Sequence, residues 1–201
     1  MPGDERDRRD RRDDGRPEQT RPRDRTGRPL PYGTDDVPLT EDHDPATVEE
    51  ALQLGVVLWD QQRFFEAHEC LEAVWHASPE PDQDLWQGVI QVAVAGVHLQ
   101  RGNPVGAATL ARRAHDRLAE YPEQHRGIDV EVARRTCQRI ATQVEEVGVE
   151  GTDLPGPFPA APGGPWFTPD PSALEPPSTP TPVPDEPVWL AAGKPRSPRR
   201  P

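Results

Sequence analysis

An all-α fold, one compact bundle of about five helices between disordered N- and C-terminal tails, is what this 201-residue sequence predicts. Three observations lead there. Apolar residues recur at three- and four-residue spacing between 44 and 148. Cap and breaker residues stand at the ends of each recurring stretch. Both flanks lack any such period.

The N-terminal flank, 1–43, is expected to be a disordered Arg/Asp-rich tail. Its first 30 residues carry ten arginines against eight acids and few apolar groups, too little apolar surface to offset ordering entropy. The C-terminal flank, 149–201, is expected to be a disordered, proline-rich tail, since residues 151–201 hold 16 of the 27 prolines. The helical-bundle domain between them, 44–148, has the length of one ordinary domain.

Asp44-Pro45 offers an N-cap with Pro at the first helical position, and Thr47 with Glu50 a capping box. The first helix then runs to Asp60 on Val48, Leu52, Val56 and Trp59. A polar break at 60–63 precedes a second helix from Phe64 to about His76. Ser78-Pro79-Glu80-Pro81-Asp82 reads as a loop, because two prolines so close do not fit a helix interior. A third helix spans about Asp84 to Arg101 and ends at Gly102. Asn103-Pro104 opens a fourth that reaches Tyr121, before Pro122. The fifth runs from Ile128 to Val147, with Val132, Cys137, Ile140 and Val144 as core positions. No alternating strand pattern competes.

The formal net charge is −12, and between 43 and 150 there are 18 acids against 9 arginines. Such a surface disfavours nucleic acid, whose affinity comes largely from basic contacts to phosphate. No apolar run approaches the ~20 residues of a membrane span, and the charged start of the chain predicts no secretory leader. Cys70 and Cys137 lack CxxC spacing and read as buried free thiols in a reducing, cytoplasmic setting.

The chemistry concentrates in Phe64-Phe65-Glu66-Ala67-His68-Glu69-Cys70-Leu71-Glu72-Ala73-Val74-Trp75. At about 100° per residue, His68 and Glu72 fall beside the apolar face, while Glu69 and Glu66 turn toward solvent. The third helix is apolar nearly all round, apart from a stripe made of Gln87, Gln91 and His98. Buried polar groups need partners, so the stripe is expected to face His68 and Glu72 in one polar cluster.

That cluster has three readings. It is a structural network fixing helix register, a pocket for a small ligand, or a metal site of His68, Glu72 and His98, with Glu69 beside it. The last would suit a divalent transition metal. It would make the protein a metal-dependent hydrolase-like enzyme, with Glu69 as general base. The string lacks the second histidine of HExxH and the paired Glu-x-x-His units of di-iron bundles. No reaction or cofactor is therefore assured. A further reading is an interaction module, a homodimer through aromatic surface, with the proline-rich tail recruiting protein partners; Trp59, Trp75 and Trp86 read as core or dimer contacts. Arg112, Arg113 and Arg117 read as a solvated face, and 102–107 as a helix–turn–helix corner.

Taken together, Phe64-Phe65-Glu66-Ala67-His68-Glu69, Leu71-Glu72, Trp75, Gln87-Gly88, Gln91, His98-Leu99 and Arg101-Gly102-Asn103 resemble the bacterial family known as domain of unknown function 309. The resemblance covers about 47–121. It implies a small all-helical domain with no assigned reaction. Cys70 stands where a small aliphatic residue is more usual.

Overall fold

The computed structural model describes residues 21–34 and 36–167. The expected disorder of 1–20 and 168–201, and with it most of the proline-rich tail, lies outside these residues. Five helices carry the fold: α1 Val48–Asp60, α2 Phe64–Ala77, α3 Glu80–Gln100, α4 Pro104–Leu118 and α5 Val130–Val147. A two-stranded antiparallel sheet, β1 Gln124–His125 and β2 Ile128–Asp129, precedes α5. Consecutive helices pack on one another, as short connections require. Among the described residues, no helix is long and apolar enough to cross a membrane.

The helix starts follow local chemistry. Thr47 caps α1 by accepting the Glu50 N–H at 3.1 Å, and Glu50 reaches back to the Ala46 N–H at 2.9 Å. Asn103 caps α4 through the Gly106 N–H, and Asp129 caps α5 through the Val132 N–H, each at 2.9 Å. The expected loop at 78–82 is a correction: α3 already begins at Glu80, with Pro81 in its first turn. Proline is accepted there because the N–H it lacks would have no helical partner. In α5 the buried positions are Val130, Ala133, Cys137, Ile140 and Val144, so Val132 sits one step off the core.

The sheet was not expected from strand patterning. Its signal is the turn: Arg126 and Gly127 both take positive φ, at 50° and 69°. This is the type I′ geometry that joins two strands with two residues.

α3 is the central helix, buried continuously from Gly88 to Leu99. Its small residues set the close approaches. A methyl group on Gly96 would lie 2.8 Å from the Phe64 ring of α2, and one on Gly88 2.8 Å from Leu118 of α4. Trp59, Phe64, Leu71, Leu85, Trp86, Ile128 and Ile140 fill the core.

The compact unit extends beyond 44–148, and the described residues from Pro22 onward belong to it. After α5 the chain returns across the bundle. Phe158 is buried edge-on against Trp59, with centroids 5.3 Å apart. The Trp59 Nε1–H donates to the Gly156 carbonyl, and the Phe158 N–H donates to Asp60. Asp129 and Ala161 tie the same segment to the hairpin through main-chain bonds. On the other side, residues 22–43 fold back on themselves, with bridges pairing Arg23 with Pro29 and Asp24 with Leu39. Composition alone marked both segments as tails, because a segment that finds its apolar partners on a preformed bundle needs few of its own.

Replacing Phe158 with Ala should lower the unfolding free energy by about 3 kcal/mol, measured by urea denaturation. An unchanged midpoint would contradict the integral role of this segment.

Candidate functional site

Five consecutive residues of α2, Phe64 to His68, are buried, so one face of the helix points to the core and another lies under something else. The cover is the segment 22–43, and Glu66 is where it is fastened. Expected near solvent, Glu66 is 0% exposed. Arg63, one turn earlier, grips it with two bonds: Nε to Oε2 at 2.7 Å and Nη2 to Oε1 at 2.5 Å. The Glu41 main-chain N–H donates to Oε1 at 2.9 Å, and His43 Nε2 lies 3.6 Å away. Arg63 also meets the Glu41 carboxylate at 2.9 Å.

Burial by itself would raise the Glu66 pKa. The Arg63 bonds, the Glu41 N–H and the charges of Arg63 and His43 outweigh it and hold the carboxyl below its usual value. Hydrogen bonding to Glu66 in turn raises Arg63. The i,i+3 pairing of Arg63 with Glu66 was the available sequence signal. It escaped notice because a helical wheel of α2 contains nothing of residues 22–43.

The same cover continues over Phe65 and His68. Gly27 sits so close to the Phe65 ring that a methyl group there would be 2.1 Å from ring carbon, and its φ of +79° suits glycine. The Arg23 guanidinium stands 5.8 Å from the Phe65 centroid. His68, 2% exposed, packs edge-on against Phe65 at 4.8 Å. Burial lowers its pKa to about 4, the main-chain carbonyls of Phe65 and Phe64 partly opposing and the charges of Arg101 and Arg23 adding to the fall. From the end of α3, Arg101 donates through Nε and Nη2 to the Thr26 carbonyl, at 2.9 and 2.5 Å.

The six expected site residues are therefore divided. His68 lies beneath the cover. Glu69 keeps an exposed surface, yet the chain packed around its carboxylate raises its pKa to about 7, with Arg23 opposing and Glu72 adding to the rise. Glu72 is half-buried on the same helix. His98 instead bonds Asn103, Nδ1 to Nδ2 at 3.0 Å, and burial lowers its pKa. Gln87 is half-buried; Gln91 is buried, with no partner for its Oε1 among the described residues.

Among the described residues, the ligand atoms of His68, Glu72 and His98 do not gather within 4.8 Å. For His98 the reason is helix rotation. Gly96 is the α3 position that meets α2 at Phe64, and His98 stands about 200° around the helix from it. The group whose ligand atoms do converge within 4.8 Å is Glu41, His43 and Glu66.

A second buried carboxylate also escaped the sequence reading. Asp82, in the first turn of α3, accepts from Arg126 Nε at 2.7 Å and meets His125 Nε2 at 2.8 Å, pinning the hairpin to the helix. Cys70 and Cys137 are buried free thiols, both raised by burial, to about 11 and about 12. Of the arginines expected on a solvated face, Arg112 pairs with Glu145 and Arg117 with Asp84.

Comparison with known proteins finds similarity over part of the chain. Residues 52–110, from within α1 to within α4, match the family described as Domain of unknown function (DUF309), as the sequence resemblance implied. An uncharacterized protein of Aquifex aeolicus (strain VF5) is 29% identical over 92 residues, which cover 45% of this chain and 28% of that protein. No solved structure matches. Phe65, Glu66 and His68 lie inside the matched region and Arg101 at the far end of the same helix pair, whereas residues 22–43 lie outside it.

The pH dependence of stability follows from His68. Between its ordinary value of 6.5 and its folded value of about 4, the unfolded chain binds a proton that the folded chain does not. Stability therefore rises with pH through that window and is lost as pH falls. The raised Glu69 acts in the opposite sense between 4.5 and about 7, weakened by its exposure. Comparing a His68→Gln variant with the parent isolates the histidine. The variant should gain on the order of 3 kcal/mol relative to the parent from pH 7 to pH 4, read by denaturation at each pH. A constant difference would contradict a buried neutral imidazole.

Proposed function

We propose that this is a recognition domain rather than an enzyme. In this reading α2 and the C-terminal end of α3 hold an extended polypeptide segment, here the chain's own residues 22–43. One observation carries the reading: the fully buried Glu66 carboxylate, neutralised by Arg63, accepts a main-chain N–H from Glu41. A group that binds backbone rather than a particular side chain is suited to holding extended chain. Arg101 does the converse by donating twice to the Thr26 carbonyl, and Phe65 closes over Gly27, where only glycine fits. The buried thiols suit a reducing compartment such as the cytoplasm.

Glu66→Gln should cost about 3 kcal/mol by leaving Arg63 without its buried partner. It should also speed proteolytic cleavage within residues 28–40 while helical circular dichroism at 222 nm is retained. Cleavage at the parental rate would count against docking through Glu66.

A second reading has its own support, the convergence of Glu41, His43 and Glu66. These are ligand types for a divalent transition metal, which would bind where Arg63 now neutralises the two carboxylates. Stoichiometric zinc by elemental analysis, lost in His43→Ala, is the expected result of that reading. A metal content unchanged by His43→Ala would rule out this group as the site.

A further inference from the structure

In a chain of net charge −12, one place gathers positive charge. Arg101 follows directly on α3, and the turn Asp24–Arg28 packs against it. The Arg101 guanidinium spends two N–H groups on the Thr26 carbonyl. Arg28 Nη2 donates to the Arg101 carbonyl, and Arg23 Nη1 to the Gly27 carbonyl at 2.9 Å. A guanidinium carries five N–H donors. Among the described residues, Arg28 uses one and Arg101 two, all on main-chain carbonyls. Among the described residues, neither forms an ion pair with a carboxylate.

Asp24 is the carboxylate facing them. It is taken up by its own turn: Oδ1 accepts the Thr26 N–H at 2.9 Å, the Thr26 hydroxyl at 2.7 Å and the Arg28 N–H at 3.0 Å. Burial, then the repulsion of Arg28, lowers the Arg101 pKa; the Asp24 charge partly opposes this and Arg23 adds to the repulsion. Arg28 is exposed and Arg101 half-buried, so a solute can reach both. Fixed, like-charged guanidinium groups with spare donors match the fork geometry that an oxyanion accepts.

We propose that Arg28 and Arg101, supported by Arg23, form a binding site for a phosphate group, free or as the monoester end of a small molecule. The site needs residues 22–28 to be docked but no partner in their place.

The test is calorimetric titration of the full-length chain with inorganic phosphate at constant ionic strength, with glycerol 3-phosphate and acetate as further arms. Saturable binding of phosphate is expected, weakened at least ten-fold in Arg28→Gln and in Arg101→Lys and unchanged in Arg112→Gln on α4, whose partner is Glu145 of α5. Tighter binding of the ester than of the free ion would identify a monoester as the ligand, and the reverse order free phosphate. Arg28 is exposed, so its variant should keep the parental circular dichroism and decides the matter if Arg101→Lys does not fold. Heat no greater than that of chloride exchange would overturn the site, as would equal affinity in Arg28→Gln or equal loss in Arg112→Gln. Slow cleavage within residues 28–40 together with no phosphate binding would sink the site while leaving segment docking in place.

Discussion

A carboxylate with no exposed surface has to be neutralised where it stands, and Glu66 meets that demand with a bidentate guanidinium one turn away. Removing a charge from water costs several kcal/mol unless geometry and hydrogen bonds restore it. Arg63 engages both oxygens and leaves Oε1 able to accept the Glu41 N–H, with the His43 ring 3.6 Å away. Those contacts fix residues 41–43 on α2, and the rest of the segment then has a surface to follow. Gly27 on Phe65 and Arg101 on Thr26 continue the seam from α2 to the end of α3.

The bundle and its wrappings are thus of different kinds. The helices hold together by interdigitated apolar residues, with Gly88 and Gly96 letting neighbours approach α3 closely. The flanking segments attach through polar groups on main chain, Trp59 to Gly156, Arg101 to Thr26 and Glu66 to Glu41, as well as through Phe158 on Trp59 and Gly27 on Phe65. Backbone contacts of this sort place little demand on side-chain identity. A segment rich in Arg, Asp and Pro can therefore be seated on a domain whose matched family region ends at residue 110.

Two buried histidines illustrate how neighbours decide chemistry. His68 and His98 both have pKa values lowered first by burial. Yet His68 sits against Phe65 beneath the N-terminal cover, whereas His98 holds the corner between α3 and α4 through Asn103. The first belongs to the docking face and the second to the turn that sets the antiparallel course of α4. His98 is bonded to Asn103 and, among the described residues, does not join His68 and Glu72 in a group of converging ligand atoms.

The sequence by itself determined the five helices, their order, and the caps at Thr47 and Asn103, though not the one at Asp129. Those features depend on residues within a few positions of one another: Thr47 with Glu50, Asn103 with Gly106, and the spacing of Cys137, Ile140 and Val144 in α5. It also located the motif on α2 and the burial of α3, because periodicity reports which faces are apolar. It did not determine which polar residues meet, since a helical wheel gives angle around one axis and not the rotation of one helix against another. Nor did it reveal that Glu66 is buried, that Asp82 clasps the hairpin, or that residues 22–43 and 152–161 pack on the bundle. These are contacts between positions far apart in the chain, with Trp59 meeting Gly156 and Arg101 meeting Thr26. Only the tertiary structure decided them, because burial of a polar group depends on what distant chain arrives to cover it.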